Sequence, residues 1–134
     1  MLAAFTELGP YTYKYNSSET SVRNRGSLTY NKYSWNNNAN VLFIDQPLGT
    51  GFSFMGNDTF KYLRTNTDLI AEDFYSFLTN FYKKYPEFKN QDLYLTGESF
   101  AGHYIPAISN FLHVKKNVKI AGIAIGNGWV DPFY

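Results

Sequence analysis

The stretch of this chain best suited to chemistry is a serine between small residues. Gly97-Glu98-Ser99-Phe100-Ala101 directly follows an apolar run that favours a strand, and the residues after it can continue as a helix. A serine hydroxyl is a weak nucleophile, so it must stand clear of the backbone, near a general base and an oxyanion site. A sharp turn from strand to helix achieves this, but it strains the backbone and needs small neighbours two residues away on each side. Gly97 and Ala101 meet that need, and the pattern predicts a nucleophile elbow at Ser99.

The elements around this turn alternate in type from residue 41 onward. Residues 41–44 are continuously apolar, which is typical of a strand covered on both faces. An apolar stripe at steps of three and four predicts a helix over residues 67–85, with Asn66 or Thr67 as its cap and Pro86 preventing its continuation. A second helix over residues 101–114 and a strand over residues 118–126 follow the elbow. Alternation of this kind predicts parallel βαβ units, hence an α/β fold.

The first forty residues have a different pattern. Residues 11–15 alternate aromatic and polar side chains, and residues 27–30 favour a returning strand, so we expect an N-terminal β-hairpin. The asparagine-rich residues 33–40 predict a loop closed by a buried Trp35. The glycine-bearing loop at residues 45–51 lacks a following Gly-Lys-Ser/Thr, which argues against a nucleotide-binding loop.

Composition excludes several classes of function. The 134 residues carry a net charge of +1 with scattered Lys and Arg, which argues against nucleic-acid binding. The chain has no cysteine, and its His and acidic residues are not clustered at ligand spacings, so we expect no metal and no other cofactor. No stretch is long and apolar enough to predict a membrane span. Asn16-Ser17-Ser18 and Asn57-Asp58-Thr59 match the N-glycosylation pattern.

Four stretches, in order along the chain, resemble the serine carboxypeptidase family. The elbow segment, which extends through His103-Tyr104-Ile105-Pro106, is similar to the family signature, although the family has tyrosine where this chain has Phe100. The other three are Glu7-Leu8-Gly9-Pro10-Tyr11, the run from Tyr33-Ser34-Trp35 through Asp45-Gln46-Pro47-Leu48-Gly49-Thr50-Gly51-Phe52-Ser53-Phe54, and Gly122-Ile123-Ala124-Ile125-Gly126-Asn127-Gly128. The resemblance implies a partial α/β-hydrolase fold, with a mostly parallel sheet, flanking helices and an N-terminal β-hairpin.

The resemblance also implies roles for four residues. Ser99 matches the acylating nucleophile, and the backbone N–H of Phe100 matches an oxyanion donor. Glu7 and Glu98 match a pair of carboxyl groups that binds the terminal carboxylate of the substrate. Two close carboxyls do not both ionise cheaply, so they share a proton, and a protonated carboxyl can donate a hydrogen bond to another carboxylate. This arrangement predicts preference for acidic pH and for free C-termini of peptides or proteins.

The rest of a catalytic triad does not follow Ser99 in the expected order. In α/β-hydrolases the acidic residue precedes the histidine, whereas here His103 and His113 both precede Asp131. We interpret His103 as a packed structural residue and His113 as a surface or helix-end residue. The resemblance places the catalytic Asp and His beyond Pro132, and an Asn-Gly-Gly-Pro-Gly stretch before Met1. We therefore expect residues 1–134 to be a single, incomplete domain that is inactive in isolation.

The function that the resemblance implies is a serine-type carboxypeptidase in a vacuolar, lysosomal or secreted setting. Two alternatives stay open: a relative that transfers acyl groups with the same serine, and a non-catalytic binding fragment. A general esterase is a weaker third alternative, because the Glu98-Ser99 pair and the Glu7 motif speak against it.

Overall fold

The structure is a computed structural model that describes residues 3–21, 25–56 and 61–133. Its residues group into two compact units. The first comprises Met1–Gln46 and Thr50–Ser53, and the second comprises Pro47–Gly49 and Phe54–Tyr134. The expectation of one incomplete domain stays a prediction.

The first unit contains the predicted N-terminal β-hairpin. Strand β1 (Tyr11–Tyr15) pairs antiparallel with β2 (Gly26–Tyr30), so that Tyr11 lies opposite Tyr30. Since side chains alternate between the two faces of a strand, the three tyrosines of β1 share one face. The rings of Tyr11 and Tyr30 meet edge to face at 6.1 Å, which is a favourable cross-strand contact.

A turn of π-helix (Ala3–Glu7) precedes the hairpin, and a 3₁₀ turn (Trp35–Asn37) follows it. The predicted buried tryptophan is wrong, because Trp35 is 46% exposed whereas the neighbouring Ser34 is only 3% exposed. The Ser34 hydroxyl donates to the carbonyl oxygen of Leu8 at 3.0 Å and accepts from the N–H of Asn36 at 3.1 Å. A small side chain that satisfies two backbone groups therefore closes this loop.

Residues 41–44, predicted as a central strand, do not form one. In the part of the chain that the structure describes, no backbone hydrogen bond joins them to a neighbouring strand. A strand is defined by such pairing, so an apolar, β-preferring sequence alone is not sufficient.

The second unit contains two helices and a parallel pair of strands. Its elements in chain order are α1 (Thr67–Lys84), β3 (Tyr94–Glu98), α2 (Ala101–Asn110) and β4 (Gly122–Gly126). The Asn66 side chain caps α1 by accepting the N–H of Leu69 at 2.9 Å, as the sequence predicts. A 3₁₀ turn (Pro86–Phe88) follows α1.

Strands β3 and β4 are parallel, with Tyr94 opposite Gly122 and Glu98 opposite Gly126. Helix α2 connects them, as expected for a βαβ unit. Strand β4 is shorter than the predicted residues 118–126. It starts at Gly122, which pairs with Tyr94, the first residue of β3. One residue earlier, the N–H of Ala121 donates to the carbonyl of Leu93 at 2.8 Å.

The core of this unit lies between α1, α2 and the turn that follows α2. The stripe predicted on α1 is buried at Ile70, Phe74 and Leu78, whereas Tyr85 at its end is exposed. The remaining buried apolar residues are Ala71, Leu95, Ile105, Ile108, Phe111 and Leu112. Burial of an Ile, Leu or Phe side chain contributes about 1.5–3 kcal/mol to folding.

Helix α2 is shorter than predicted and changes its winding. It ends at Asn110, and Phe111–Lys115 continue as a turn of π-helix. Pro106 lies inside the helix rather than in its first turn. The missing N–H at this position therefore removes one hydrogen bond of the helix interior.

An ion pair that was not predicted from the sequence joins the segment before α1 to the helix itself. Asp73 binds Arg64 through two hydrogen bonds of 2.6 and 2.7 Å. The carboxylate raises the pKa of the Arg64 guanidinium above its ordinary value. Such a two-point contact is more specific than a single surface charge pair.

Candidate active site

Ser99 lies at a sharp turn between a strand and a helix, as the sequence predicts. Strand β3 ends at Glu98, and α2 begins at Ala101. Ser99 between them has a φ of +56°, in the left-handed region that non-glycine residues seldom adopt. Its side chain is exposed. The turn thus presents the hydroxyl at the carboxyl end of a parallel strand, where open α/β sheets commonly bind ligands.

Three backbone hydrogen bonds hold Ser99 in this conformation. Its N–H donates to the carbonyl of Gly126 at 3.0 Å. Its carbonyl oxygen accepts from the N–H of Gly102 at 3.0 Å and from the N–H of Trp129 at 2.8 Å. Two of these partners belong to β4 and the residues after it. The next strand therefore fixes the strained residue from outside its own turn.

Small residues are required around the turn for steric reasons. A Cβ added at Gly97 would collide with the Cβ of Ala101. A Cβ added at Gly102 would lie 2.7 Å from both the backbone nitrogen and the backbone oxygen of Trp129. The first contact was predicted from the sequence, whereas the second was not. The only sequence signal for it was the position of Gly126-Asn127-Gly128 directly after an apolar strand.

Aromatic rings surround the exposed side of the turn. Phe100 lies 4.7 Å from His103, 5.0 Å from Tyr104 and 5.5 Å from Trp129, measured between ring centroids. Phe100 and Trp129 remain 41% and 50% exposed. These rings form a partly exposed aromatic cluster around the residue that follows Ser99.

The backbone N–H of Phe100 is available to a ligand. Phe100 occupies the capping position before α2, where N–H groups have no partner within the helix. Among the described residues, none accepts a hydrogen bond from it. A donor next to an exposed serine hydroxyl and at the positive end of a helix dipole suits a developing negative charge.

The two glutamates predicted to bind a carboxylate lie in different units. Glu98 is the last residue of β3 and precedes Ser99 directly, and its side chain is exposed. Glu7 ends the turn Ala3–Glu7, also exposed, and its backbone carbonyl accepts from the Asn31 side chain at 3.0 Å. The pairing of Glu7 with Glu98 stays a prediction.

The two histidines lie in different surroundings. His103 packs its ring against Phe100 and, at 5.9 Å, against Trp129. His113 is exposed in the turn after α2. Across the described ranges, no hydrogen bond joins a histidine to the Ser99 hydroxyl. These positions agree with the structural interpretation of His103 and the surface interpretation of His113.

Within residues 3–21, 25–56 and 61–133, no group of three or more His, Cys, Asp or Glu side chains is arranged to hold a metal ion. None of the described helices combines the length and apolar character needed to cross a bilayer.

Comparison with known proteins places these features in a family. The family model described as serine carboxypeptidase matches residues 1–134. Serine carboxypeptidase 3 of Oryza sativa subsp. japonica is 43% identical over 137 aligned positions, which cover 98% of this chain and 25% of that protein. Carboxypeptidase Y homolog A of Talaromyces marneffei is 41% identical over 131 positions, covering 96% of this chain and 21% of that protein.

A solved structure shows the same fold. The crystal structure of Kex1, a prohormone-processing carboxypeptidase from Saccharomyces cerevisiae, superimposes with a TM-score of 0.76 at 34% identity. The match covers 98% of this chain and 28% of that one. The chain therefore spans about a quarter of the length of the relatives it matches. It has the corresponding part of an α/β-hydrolase fold, with a parallel strand pair, flanking helices and an N-terminal hairpin. On these grounds the chain belongs to the serine carboxypeptidase family.

Proposed function

We propose that this chain carries the nucleophile of a serine-type carboxypeptidase, which releases C-terminal residues from peptides through an acyl-enzyme on Ser99. The observation that carries this proposal is the conformation of Ser99. A non-glycine residue with a φ of +56° between a parallel strand and a helix is costly, so its presence calls for a function. The exposed hydroxyl and the adjacent N–H of Phe100 supply that function.

The first chemical step uses two atoms of this chain. The Ser99 hydroxyl oxygen attacks the carbonyl carbon of the last peptide bond as its proton passes to a base. The N–H of Phe100 donates to the resulting oxyanion, which contributes roughly 3–4 kcal/mol when such a donor is preorganised. As the base returns the proton to the peptide nitrogen, the intermediate collapses, the C-terminal residue leaves with a free amino group, and the acyl group stays on Ser99. Water then hydrolyses this ester, which frees the acyl group as a carboxylic acid and restores the Ser99 hydroxyl.

The base itself is proposed to lie outside these residues. His103 is held among aromatic rings, and no described histidine bonds to Ser99. The family pattern supplies the base and its acidic partner from residues after Pro132. We therefore infer that the chain of 134 residues, taken alone, does not hydrolyse peptide substrates with repeated turnover.

Specificity for a free C-terminus is assigned to Glu98 and Glu7. Glu98 directly precedes Ser99, and its side chain is exposed. If Glu7 approaches it in the complete protein, one proton is shared between them, and the protonated carboxyl donates to the substrate carboxylate. This arrangement favours acidic conditions. The resemblance to the family is the ground on which we propose a vacuolar, lysosomal or secreted compartment.

The experiment compares two polypeptides: the chain of 134 residues and the product of the longest reading frame that encloses it. Each is offered a dipeptide with a blocked N-terminus at acidic pH. We expect release of the C-terminal amino acid by the enclosing protein, loss of that release with Ser99→Ala, and no turnover by the isolated chain. Ser76→Ala is the matched control, because Ser76 is exposed on α1 and its hydroxyl donates to the Glu72 carbonyl of the same helix.

Other outcomes separate the alternatives. Ester product formed from an activated acyl ester and an alcohol acceptor, in excess over free acid, would identify an acyltransferase. Binding of a C-terminal peptide that is lost with Glu98→Ala, without any turnover, would identify a non-catalytic binding protein. Steady turnover of the dipeptide by the isolated chain that depends on Ser99 would contradict the inferred external base.

A further inference from the structure

The sequence Asn16-Ser17-Ser18 lies at the end of β1, in the first unit and outside the catalytic residues. All three residues are exposed. Asn16 leads into the connection between the two strands of the hairpin. The acceptor pattern for N-glycosylation therefore lies on an accessible turn rather than in a packed element.

The backbone of Asn16 is fixed by the hairpin. Its N–H donates to the carbonyl of Arg25 at 2.7 Å, which continues the ladder one residue beyond the Tyr15–Gly26 pair. Because side chains alternate along a strand, Asn16 points to the face of Thr12 and Lys14. It points away from the face that carries the tyrosines. A bulky group on Asn16 would extend from the polar side of the hairpin.

The side chain of Asn16 is bonded only within its own turn. Its amide oxygen accepts from the Ser18 N–H at 3.1 Å and from the Ser18 hydroxyl at 2.7 Å. In the described part of the chain, nothing accepts a hydrogen bond from its amide nitrogen Nδ2. The atom that would carry a sugar is thus exposed and unengaged, and the required hydroxyl already contacts the same amide.

From this geometry we propose that Asn16 is a site of N-linked glycosylation. A lipid-linked oligosaccharide diphosphate is the donor: Nδ2 forms a bond to the first carbon of the sugar as the bond from that carbon to the diphosphate oxygen breaks. Nδ2 loses one proton, and the lipid diphosphate leaves. The inference rests on the secretory route proposed above and is independent of catalysis at Ser99.

The two hydrogen bonds from Ser18 explain why the third residue matters. A donor to the amide oxygen polarises the amide group of Asn16, and the turn holds that group outward. Replacing Ser18 by threonine keeps the hydroxyl, whereas alanine removes it without altering Asn16. The second acceptor pattern, Asn57-Asp58-Thr59, begins outside the described residues, and the proposal does not include it.

The test translates the full chain behind a cleavable secretion leader in the presence of endoplasmic-reticulum microsomes. In an Asn57→Gln background, we expect a slower-migrating product that an endoglycosidase returns to the unmodified position. Enzymatic release of the glycan in oxygen-18 water should label residue 16 as Asp in the recovered peptide. Transfer occurs during translocation and needs only the local turn of residues 16–18, so a variant that folds poorly would still report on the site.

Three variants decide the result. Asn16→Gln and Ser18→Ala should each abolish the shift, while Ser18→Thr should retain it at equal or higher occupancy. Ser17→Ala is the matched control and should leave occupancy unchanged. The proposal is overturned if the chain stays unmodified in microsomes that glycosylate a reporter protein, or if the shift persists after Asn16→Gln.

Discussion

The backbone N–H of Trp129 lies 2.8 Å from the carbonyl oxygen of Ser99. This bond joins the residues after β4 to the turn after β3. A residue in the left-handed region costs about 1–3 kcal/mol and persists only where its surroundings determine it. The contact with Trp129 is one such determinant, and it depends on the close approach that Gly102 allows.

We expect Gly102→Ala to destabilise the protein by about 1–3 kcal/mol, since overpacking against a rigid neighbour costs this much. The added Cβ would lie 2.7 Å from backbone atoms of Trp129, which move only if the whole loop moves. Helix propensity alone would favour alanine by about 1 kcal/mol, so a net loss would show that the steric contact dominates. Urea unfolding of the chain measures the difference.

Gly126→Ala is the matched control for Gly102→Ala. A Cβ at this position would meet the Glu98 side chain at an ordinary 3.8 Å. We expect its unfolding free energy to stay within about 0.5 kcal/mol of the unmodified chain. Equal losses in the two variants would contradict the role of the Trp129 contact.

A second prediction concerns the small residues on either side of Ser99. Gly97→Ala should destabilise the turn because the new Cβ collides with that of Ala101. Ala101→Gly, added to the same chain, removes the obstacle and should restore most of the loss. The coupling free energy from a double-mutant cycle is expected to be about 1–2 kcal/mol.

The alternative outcome is additivity. If the changes in unfolding free energy of the two single variants add up to that of the double variant, the size restriction does not arise from the contact between positions 97 and 101. The Ile105 side chain, whose nearest atom is 3.4 Å from the added Cβ, would then be the residue to change.

The third prediction concerns the ion pair before α1. Asp73→Asn should lower the unfolding free energy by about 1 kcal/mol, at the upper end for partly exposed pairs, because Arg64 contacts both carboxylate oxygens. The loss should shrink at high salt, where the remaining charges are screened. Chemical denaturation at low and high salt concentrations measures both effects.

Asp92→Asn provides the comparison for Asp73→Asn. Asp92 contacts Lys119 through a single 3.4 Å contact, and both side chains are largely exposed. Pairs of this kind contribute little, so we expect no measurable change. A larger loss of unfolding free energy for Asp92→Asn than for Asp73→Asn would contradict the prediction that the Arg64–Asp73 pair is the more stabilising of the two.

The fourth prediction is a dependence of stability on alkaline pH. Burial raises the pKa of the Tyr82 phenol above its ordinary value of 10.0, because desolvation disfavours the phenolate. Above the ordinary value, the unfolded chain loses the Tyr82 proton before the folded chain does, so this contribution to stability falls as the pH rises. Tyr82→Phe should reduce the loss of stability between pH values below and above 10.0. The denaturant midpoint of unfolding, determined at both pH values for each protein, measures this loss.

Another tyrosine provides the control for this fourth prediction. Tyr94→Phe should leave the alkaline fall unchanged, because the Tyr94 side chain is exposed on β3. An identical alkaline profile for Tyr82→Phe and the unmodified chain would show that the buried phenol does not contribute.

The sequence was sufficient for elements whose stability is local. Helix α1 combines a cap at Asn66 with a stripe that includes Ile70 and Phe74, and the structure confirms both. The turn at Ser99 was also predictable, because its small neighbours answer a local steric need. Residues 41–44 were mispredicted, because a strand needs a hydrogen-bonded neighbour that a single-segment pattern does not contain.

Contacts between segments that are distant in the chain could not be predicted from the sequence. Trp129 reaches Ser99 only because β4 pairs in register with β3, and registers of this kind are set by tertiary packing. Arg64 meets Asp73 for a similar reason, since the segment before α1 must fold back along the helix. By contrast, the turn at Asn16 is local, and its pattern was visible in the sequence.

The left-handed backbone of Ser99 also restricts what evolution can place there. Glycine, asparagine and aspartate adopt a φ of +56° at modest cost, whereas valine, isoleucine and threonine do so with difficulty. If position 99 changes in a descendant, residues of the first group are therefore favoured, because the backbone conformation restricts the residue type whether or not the hydroxyl is used. The backbone conformation at position 99 thus restricts which substitutions the fold accepts there, independently of any chemistry of the side chain.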